Sequence, residues 1–267
     1  YKRQGLVVVV ADDPGMHSSQ NEQDSRMHAR GSQVPMLEPS DSDECRAFTK
    51  LAFELSEKYD TPVFVRTTTR VAHARSVVHP QERVEAALKP YQKDISKWVM
   101  MPGMAKGRHV VVEKRMNDLA KDASSLPVNR VEMGDTKIGV ICSGMAYQYV
   151  KEVAPEISVL KLGIVNPLPM DLIADFARQV ETLYVFEELE PVIEEQVAAH
   201  GIPVTGKALT GRQGELSAHK VAKLLGKEIP TAAQPDPVPA RPPVLCPGCP
   251  HRGVYAVLNK LKCTATG

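Results

Sequence analysis

Four consecutive valines, Val7–Val10, follow Leu6 and precede Ala11, an apolar run with no polar side chain to turn toward water. A strand of this composition is normally covered on both faces, as happens inside a parallel sheet flanked by helices. The run therefore predicts an α/β unit and requires strands beside it. It starts close to Tyr1, which is not a methionine, so its neighbours are expected in sequence preceding Tyr1. At the other end, Cys263-Thr-Ala-Thr-Gly267 stops where another strand-to-loop turn begins. Both ends are expected to be interior points of a longer chain.

Residues 1–90 read as strand, long loop, helix and strand. Asp12-Asp-Pro-Gly15 is a turn signal, and residues 11–40 are polar and loop-like. Ser40 or Asp41 can cap a helix whose apolar Phe48, Leu51, Ala52, Leu55 and Tyr59 recur at helical spacing. Pro62 opens the β-rich run Val63–Thr69. Strand, crossover helix and strand make a βαβ unit. Ligands of open α/β sheets bind at the carboxyl ends of the strands, which is where the long loop lies.

Residues 91–136 form a connecting region, broken at Met100-Met-Pro-Gly-Met104 and carrying one helix over Arg108–Ala123. Trp98 and the nearby methionines are assigned to packing. Residues 137–229 alternate strands and helices. The strands are Lys137–Cys142, Ile157–Ile164, Thr182–Glu187 and the short Ile202–Lys207. The helices lie near Ala146–Val153, Asp171–Val180, Pro191–His200 and Leu216–Leu225. Repeated βα units of this length predict a doubly wound parallel sheet. The proline-rich stretch 230–243 is a stiff linker, and residues 244–267 open a further domain with a helix near Gly253–Lys262.

Composition excludes several classes of function. With 33 Lys and Arg against 32 Asp and Glu, the net charge of +1 gives no footprint for nucleic acid or an anionic membrane. No apolar stretch reaches the length of a membrane span, and no n-region followed by an h-region resembles a signal peptide. Five cysteines, with only Cys246 and Cys249 close together, fit reduced thiols in a cytoplasmic protein rather than a disulfide scaffold.

The loop from Ala11 to Arg26 gathers Asp12, Asp13, His17, Ser18, Ser19, Gln20, Asn21, Glu22, Gln23 and Asp24. A loop that long is either a solvated connector or functional. Its attachment to an apolar parallel strand favours an active-site loop, although it holds no metal-ligand or triad spacing. Cys246-Pro-Gly-Cys249 can serve one metal ion, an iron–sulfur cluster or a dithiol couple. Its place after a proline-rich linker disfavours the dithiol reading, and no second pair completes a zinc site. Half of a cluster site fits best, and two simply buried thiols are the alternative. Cys45, Cys142 and Cys263 are assigned to the core. The run Glu187-Glu-Leu-Glu190 suits either paired acid–base carboxylates or a helix start that complements the macrodipole. His73, His79, His109, His200 and His219 lack partners at ligand spacing.

Two stretches, Val7–Arg26 and Cys246-Pro-Gly-Cys-Pro-His-Arg-Gly253, closely resemble the large (alpha) subunit of the indolepyruvate:ferredoxin oxidoreductases. Gly144, Asn166-Pro-Leu-Pro and Val185-Phe-Glu-Glu188 extend the resemblance through the middle of the chain, in the family's order. It implies a fold class of α/β. Residues 1–90 would be the later part of a thiamine-diphosphate pyrimidine-binding domain. Residues 137–229 would be a transketolase C-terminal-like domain with a doubly wound parallel sheet, and 244–267 the start of a diphosphate-binding domain.

The resemblance also implies chemistry. Thiamine diphosphate with Mg2+ attacks the keto carbon of an arylpyruvate, carbon dioxide leaves, and coenzyme A takes the acyl group. Electrons pass through [4Fe-4S] clusters to ferredoxin, and a smaller beta/gamma-type subunit is a partner. Asp12, Asp13, His17, Ser18, Ser19 and Gln23 become the substrate-binding candidates. Gly248, His251 and Gly267 become cofactor-binding candidates, and Cys246 and Cys249 cluster ligands. The activating glutamate is expected before Tyr1, and the magnesium–diphosphate motif is expected to begin at Gly267. The 267 residues alone are therefore expected to be inactive. A related pyruvate or other 2-oxoacid enzyme, or a non-catalytic interaction module of the same fold, would share much of this pattern.

Overall fold

The computed structural model describes residues 5–85, 90–230, 245 and 247–263. The chain divides into two compact units, Tyr1–Ile229 and Pro230–Gly267.

The first unit opens with β1 (Val7–Asp12), α1 (Ser25–Gly31), β2 (Met36–Leu37), α2 (Ser42–Tyr59), β3 (Val63–Thr68) and α3 (Thr69–His73). Helix α2 forms where its spacing predicts. Asp41 caps it by accepting from the Glu44 backbone N–H, and Glu44 reaches back to accept from the N–H of Ser40, one residue before the cap, at 2.8 Å. Phe48, Ala52 and Leu55 turn inward against Val63, Val65 and Leu37. β1 and β3 pair in parallel from Val7 opposite Val63 to Asp12 opposite Thr68.

The valine run forms β1 as expected. Among the described residues, β1 lies at the edge of the sheet with β3 as its one neighbouring strand. Val7 packs on the α2 side and Val10 on the other, but Val9 is 64% exposed. One strand partner leaves part of an apolar edge strand uncovered. Residues 11–40 also differ from a plain loop. Asp24 caps α1, and the two residues of β2 are fully buried. An apolar pair between Pro35 and Glu38-Pro39 is too short to show strand periodicity.

In the 91–136 stretch, α4 (Ile95–Trp98) is followed by α5 (Pro102–Ala123), which starts earlier than predicted, with Pro102 at its first position. Of the methionines there, Met104 and Met116 are half-buried, but two do not pack as expected. Met100 and Met101 are 52% and 60% exposed, while the Trp98 ring carries the Lys97 ammonium at 4.6 Å. β4 (Arg130–Glu132), also inside this stretch, joins the second sheet antiparallel to β6 (Ile157–Leu162).

That sheet has the order β4-β6-β5-β8, built from β5 (Asp135–Ser143), β6 and β8 (Thr182–Phe186), which run parallel. Between them lie α6 (Gly144–Val153), β7 (Ile164–Asn166) and α7 (Met170–Ala177), and after them α8 (Val192–Ala199), α9 (Lys207–Thr210) and α10 (Ala218–Leu224). The short strand expected at 202–207 reduces to a single bridge, Thr205 to Tyr184, and Lys207 begins α9 instead.

The apolar run expected as one strand over 157–164 breaks at Gly163. Beyond it, β7 leaves the second sheet and completes the first, antiparallel to β2, giving the order β1-β3-β2-β7. Glycine is required at the crossing, since a Cβ on Gly163 would lie 2.3 Å from the Val128 carbonyl oxygen. Residues of both sheets share one apolar cluster, with Ala29 and Met36 packed among Ile141, Leu160, Val165 and Val185.

The second unit presents α11 (His251–Lys260) after the turn at Gly248. Apart from Pro230, the expected linker 230–243 lies outside the described residues. No helix among the described residues is long and apolar enough to cross a membrane.

Candidate functional site

The carboxyl ends of β1 and β3 lie side by side and pass directly into the loop at 13–24 and into α3. Asp13 organises the loop. Its carboxylate accepts from the Ser18 and Ser19 backbone N–H groups at 2.8 and 2.9 Å and from Thr69 Oγ1 at 2.5 Å. The Thr69 bond, with the backbone donors, holds the Asp13 carboxyl below the usual carboxylate range. Gly15 and Met16 take positive φ values of 87° and 51° to close the turn. His17, Ser18, Ser19 and Gln23 are all exposed.

A turn from the far end of the unit meets this loop. Glu22 Oε1 accepts from both the Gly15 and Gly214 N–H groups, at 2.6 and 2.9 Å. Arg70, at the head of α3, grips Glu215 with two donors, Nε to Oε2 at 2.6 Å and Nη2 to Oε1 at 2.5 Å. His17 Nε2 lies 3.2 Å from the same carboxylate. Arg70 first, and His17 with it, keep the Glu215 carboxyl below its ordinary range, and Glu215 in turn raises Arg70. Tyr149 borders the group, its hydroxyl pushed up to about 12 by burial and by Glu188 and Glu215.

Beneath the exposed loop lies a buried network. Asp12 accepts from the Ser25 N–H and Oγ at 2.9 and 2.5 Å and from Arg66 Nε at 2.6 Å. Arg66 Nη1 also donates to Glu38 Oε1 at 2.7 Å. Arg26, 1% exposed, donates to Asp24 Oδ2 at 2.7 Å, to Glu187 Oε2 at 2.6 Å and to the Glu188 and Glu190 carbonyls. Burial works to raise the Asp24 carboxyl, but the Arg26 charge and its hydrogen bonds, with Arg66, prevail and bring it to about 2. Glu187 and Glu188 go the other way: burial raises both.

Glu187 accepts from the Ile193 and Glu194 N–H groups at the start of α8, so its role is the helix-start one. Glu188 accepts from the Leu216 N–H at 2.8 Å, next to Glu215. Gly144 opens α6 at φ 53°, and a Cβ there would sit 2.6 Å from Glu38 Oε1.

The predicted residues thus separate into two groups. Asp12 faces the interior and is spent on Arg66 and Ser25, because the last position of β1 points onto the buried face of the sheet. Asp13 is spent on the turn. His17, Ser18, Ser19 and Gln23 remain accessible, and only His17 is tied to a partner from the far loop. Arg70 and Glu215 were not among the predicted residues. Arg70 carried a readable signal, a cation directly after the end of a parallel strand. Glu215 carried none, being 145 positions away from Arg70.

In the second unit, Cys249 Sγ lies 3.3 Å from His251 Nδ1, and Gly248 turns at φ 80°. Cys246 and Gly267 lie outside the described residues. Among the described residues, no group of three or more His, Cys, Asp or Glu is placed to hold a metal ion. Cys142 is buried as expected, whereas Cys45 is only half-buried and Cys263 is exposed.

No family model matches the chain. It is 39% identical, over 96% of its length, to the indolepyruvate oxidoreductase subunit IorA of Thermococcus kodakarensis. It is 39% identical to that of Methanothermobacter thermautotrophicus over 97%, and 32% identical to that of Archaeoglobus fulgidus over 97%. The chain spans less than half of these relatives, 44%, 45% and 45% of their lengths.

Two solved structures share the fold. One is the 2-oxoglutarate:ferredoxin oxidoreductase of Magnetococcus marinus with 2-oxoglutarate, coenzyme A and succinyl-CoA bound, at TM-score 0.60 and 15% identity. That match covers 82% of this chain and 48% of the other. The other is an inactive split-gene transketolase, at TM-score 0.51 and 16% identity, covering 82% and 65%. Both share the α/β architecture of this chain.

Proposed function

Because the chain belongs to the family of the IorA subunits of indolepyruvate oxidoreductase, we propose that it forms the substrate-facing part of an enzyme that oxidatively decarboxylates indolepyruvate and other arylpyruvates. In the overall reaction the bond between the carboxylate and the keto carbon breaks and carbon dioxide leaves. Two electrons pass to ferredoxin and the acyl group passes to the thiol of coenzyme A. Thiamine diphosphate, when bound, supplies the electron sink for the decarboxylation. A smaller subunit and the iron–sulfur clusters complete the assembly.

The observation that carries this reading is the Arg70 guanidinium beside His17 at the carboxyl ends of β1 and β3. It already binds a carboxylate through two parallel donors, the geometry with which arginine recognises such groups. Arg70 and His17 would hold the carboxylate of the 2-oxoacid, with the Ser18 and Ser19 hydroxyls facing its polar end. Asp13 fixes the loop that presents them. Cys246 and Cys249 would supply two cluster ligands, with Gly248 and His251 shaping that turn.

Steady-state kinetics of the intact enzyme carrying Arg70→Ala test the reading. Losing charge-assisted hydrogen bonds of about 1.5–3 kcal/mol predicts a rise in KM for indolepyruvate of about ten- to a hundredfold. An unchanged KM would place the carboxylate elsewhere. Rates with pyruvate and 2-oxoglutarate beside indolepyruvate define the range of acids accepted.

A further inference from the structure

We infer that Glu215 is an internal competitor for the substrate carboxylate. Its own carboxylate fills the Arg70 fork, and a 2-oxoacid binds by displacing it. The inference rests on the reading of Arg70 as the carboxylate site.

Three features support it. First, Glu215 reproduces the bonds a bound carboxylate would make, two from Arg70 and a contact with His17. Arg70 therefore cannot hold both in the same geometry. Second, the contact is exchangeable. The Arg70, His17 and Glu215 side chains are 49%, 34% and 24% exposed, and ion pairs open to water contribute little net stability. The buried Arg26 and Arg66 pairs below, each side chain 1–2% exposed, have no such freedom. Third, Glu215 follows a glycine turn with open space around it, while the next residue, Leu216, is buried and bonded to Glu188, so displacement of Glu215 involves its side chain and residues 211–214. Gly211 and Gly214 take φ values of 71° and 76°, and nothing lies within 4 Å of where their Cβ atoms would be. The Gly214 N–H bond to Glu22 and the His17 contact with Glu215 tie that turn to the substrate loop.

Glu215 therefore sets substrate affinity without touching the substrate. Every carboxylate that takes the Arg70 fork must displace Glu215, so the apparent affinities of all such ligands fall by one common factor.

The test compares the intact wild-type enzyme with Glu215→Gln and Arg70→Ala. Glutamine keeps the shape and removes the competing charge, so KM for indolepyruvate falls by about two- to fivefold, the scale set by an exposed ion pair, while Arg70→Ala raises it. A second readout is trypsin cleavage after Arg212 in the wild-type enzyme. Saturating indolepyruvate accelerates this cleavage by releasing the turn, and Glu215→Gln is cleaved at the faster rate without ligand. If Arg70→Ala raises KM but Glu215→Gln raises it too or leaves it alone, Glu215 only props Arg70 and the inference fails. Trypsin cleavage indifferent to indolepyruvate also overturns it. If Arg70→Ala itself leaves KM unchanged, the underlying reading of Arg70 is what fails.

Discussion

Arg26 Nη1 lies 2.6 Å from Glu187 Oε2, a buried bond joining the segment after β1 to the end of β8. The cation comes from beside the first sheet and the anion from the second. Removing one member of such a pair leaves the other charge buried without compensation, which is far costlier than losing a surface pair.

Arg26→Met should therefore destabilise the protein by about 3–5 kcal/mol, because Asp24 and Glu187 both lose their main cation. Arg178→Met, at an exposed pair with Asp175, should cost less than about 1 kcal/mol. Urea denaturation of the two variants beside the parent gives the comparison. Equal midpoints would remove the buried network from any stabilising role.

Asp24 sets an acid limit. Its carboxyl stands at about 2 in the fold against an ordinary 3.8, so the folded state binds its proton less readily than the unfolded chain. The stabilisation is fully present above pH 3.8 and is lost as pH falls through about 2. Over that window the parent should lose stability more steeply than Asp24→Asn, which has no proton to gain there. Acid titration of denaturant midpoints followed by circular dichroism measures the two slopes.

Gly144→Ala should destabilise by about 1–3 kcal/mol, since it combines a left-handed backbone with an intruding methyl group. That methyl would press on the oxygen of Glu38 that holds Arg66. Thermal unfolding reports the loss. Glu38→Gly in the same background should not restore it, because the strained φ of 53° at position 144 remains.

Cys246→Ser and Cys249→Ser, each in the intact subunit, should lower its iron and sulfide content when measured anaerobically, because a cluster deprived of a thiolate is held less firmly. Iron content equal to the parent's in both would remove these cysteines from the ligand set.

The parts legible in the sequence are those where side-chain pattern and secondary structure agree. The spacing of Phe48, Ala52 and Leu55 marked α2, and the apolar runs between turn residues marked β5, β6 and β8. Arg26 and Arg66 were not legible as interior residues, because a buried charge looks like a solvated one until its partners are known. Those partners, such as Glu187 for Arg26, are up to 161 positions distant. Gly163 sits inside an apolar run, so the sheet change there resembled one unbroken strand. The accessible half of the candidate site, His17, Ser18 and Ser19, was readable from a polar loop after an apolar strand. Its charged centre, Arg70 with Glu215, depended on tertiary contact alone.

The passage of β7 from one sheet into the other has a mechanical consequence. A strand contributed by the second half is hydrogen-bonded into the first at Met36 and Leu37, so the halves are laced together and offer no hinge line between them. Rocking one against the other would have to break that seam. The surface turns at 13–22 and 211–215 lie outside that seam, joined to each other by Glu22 and Gly214.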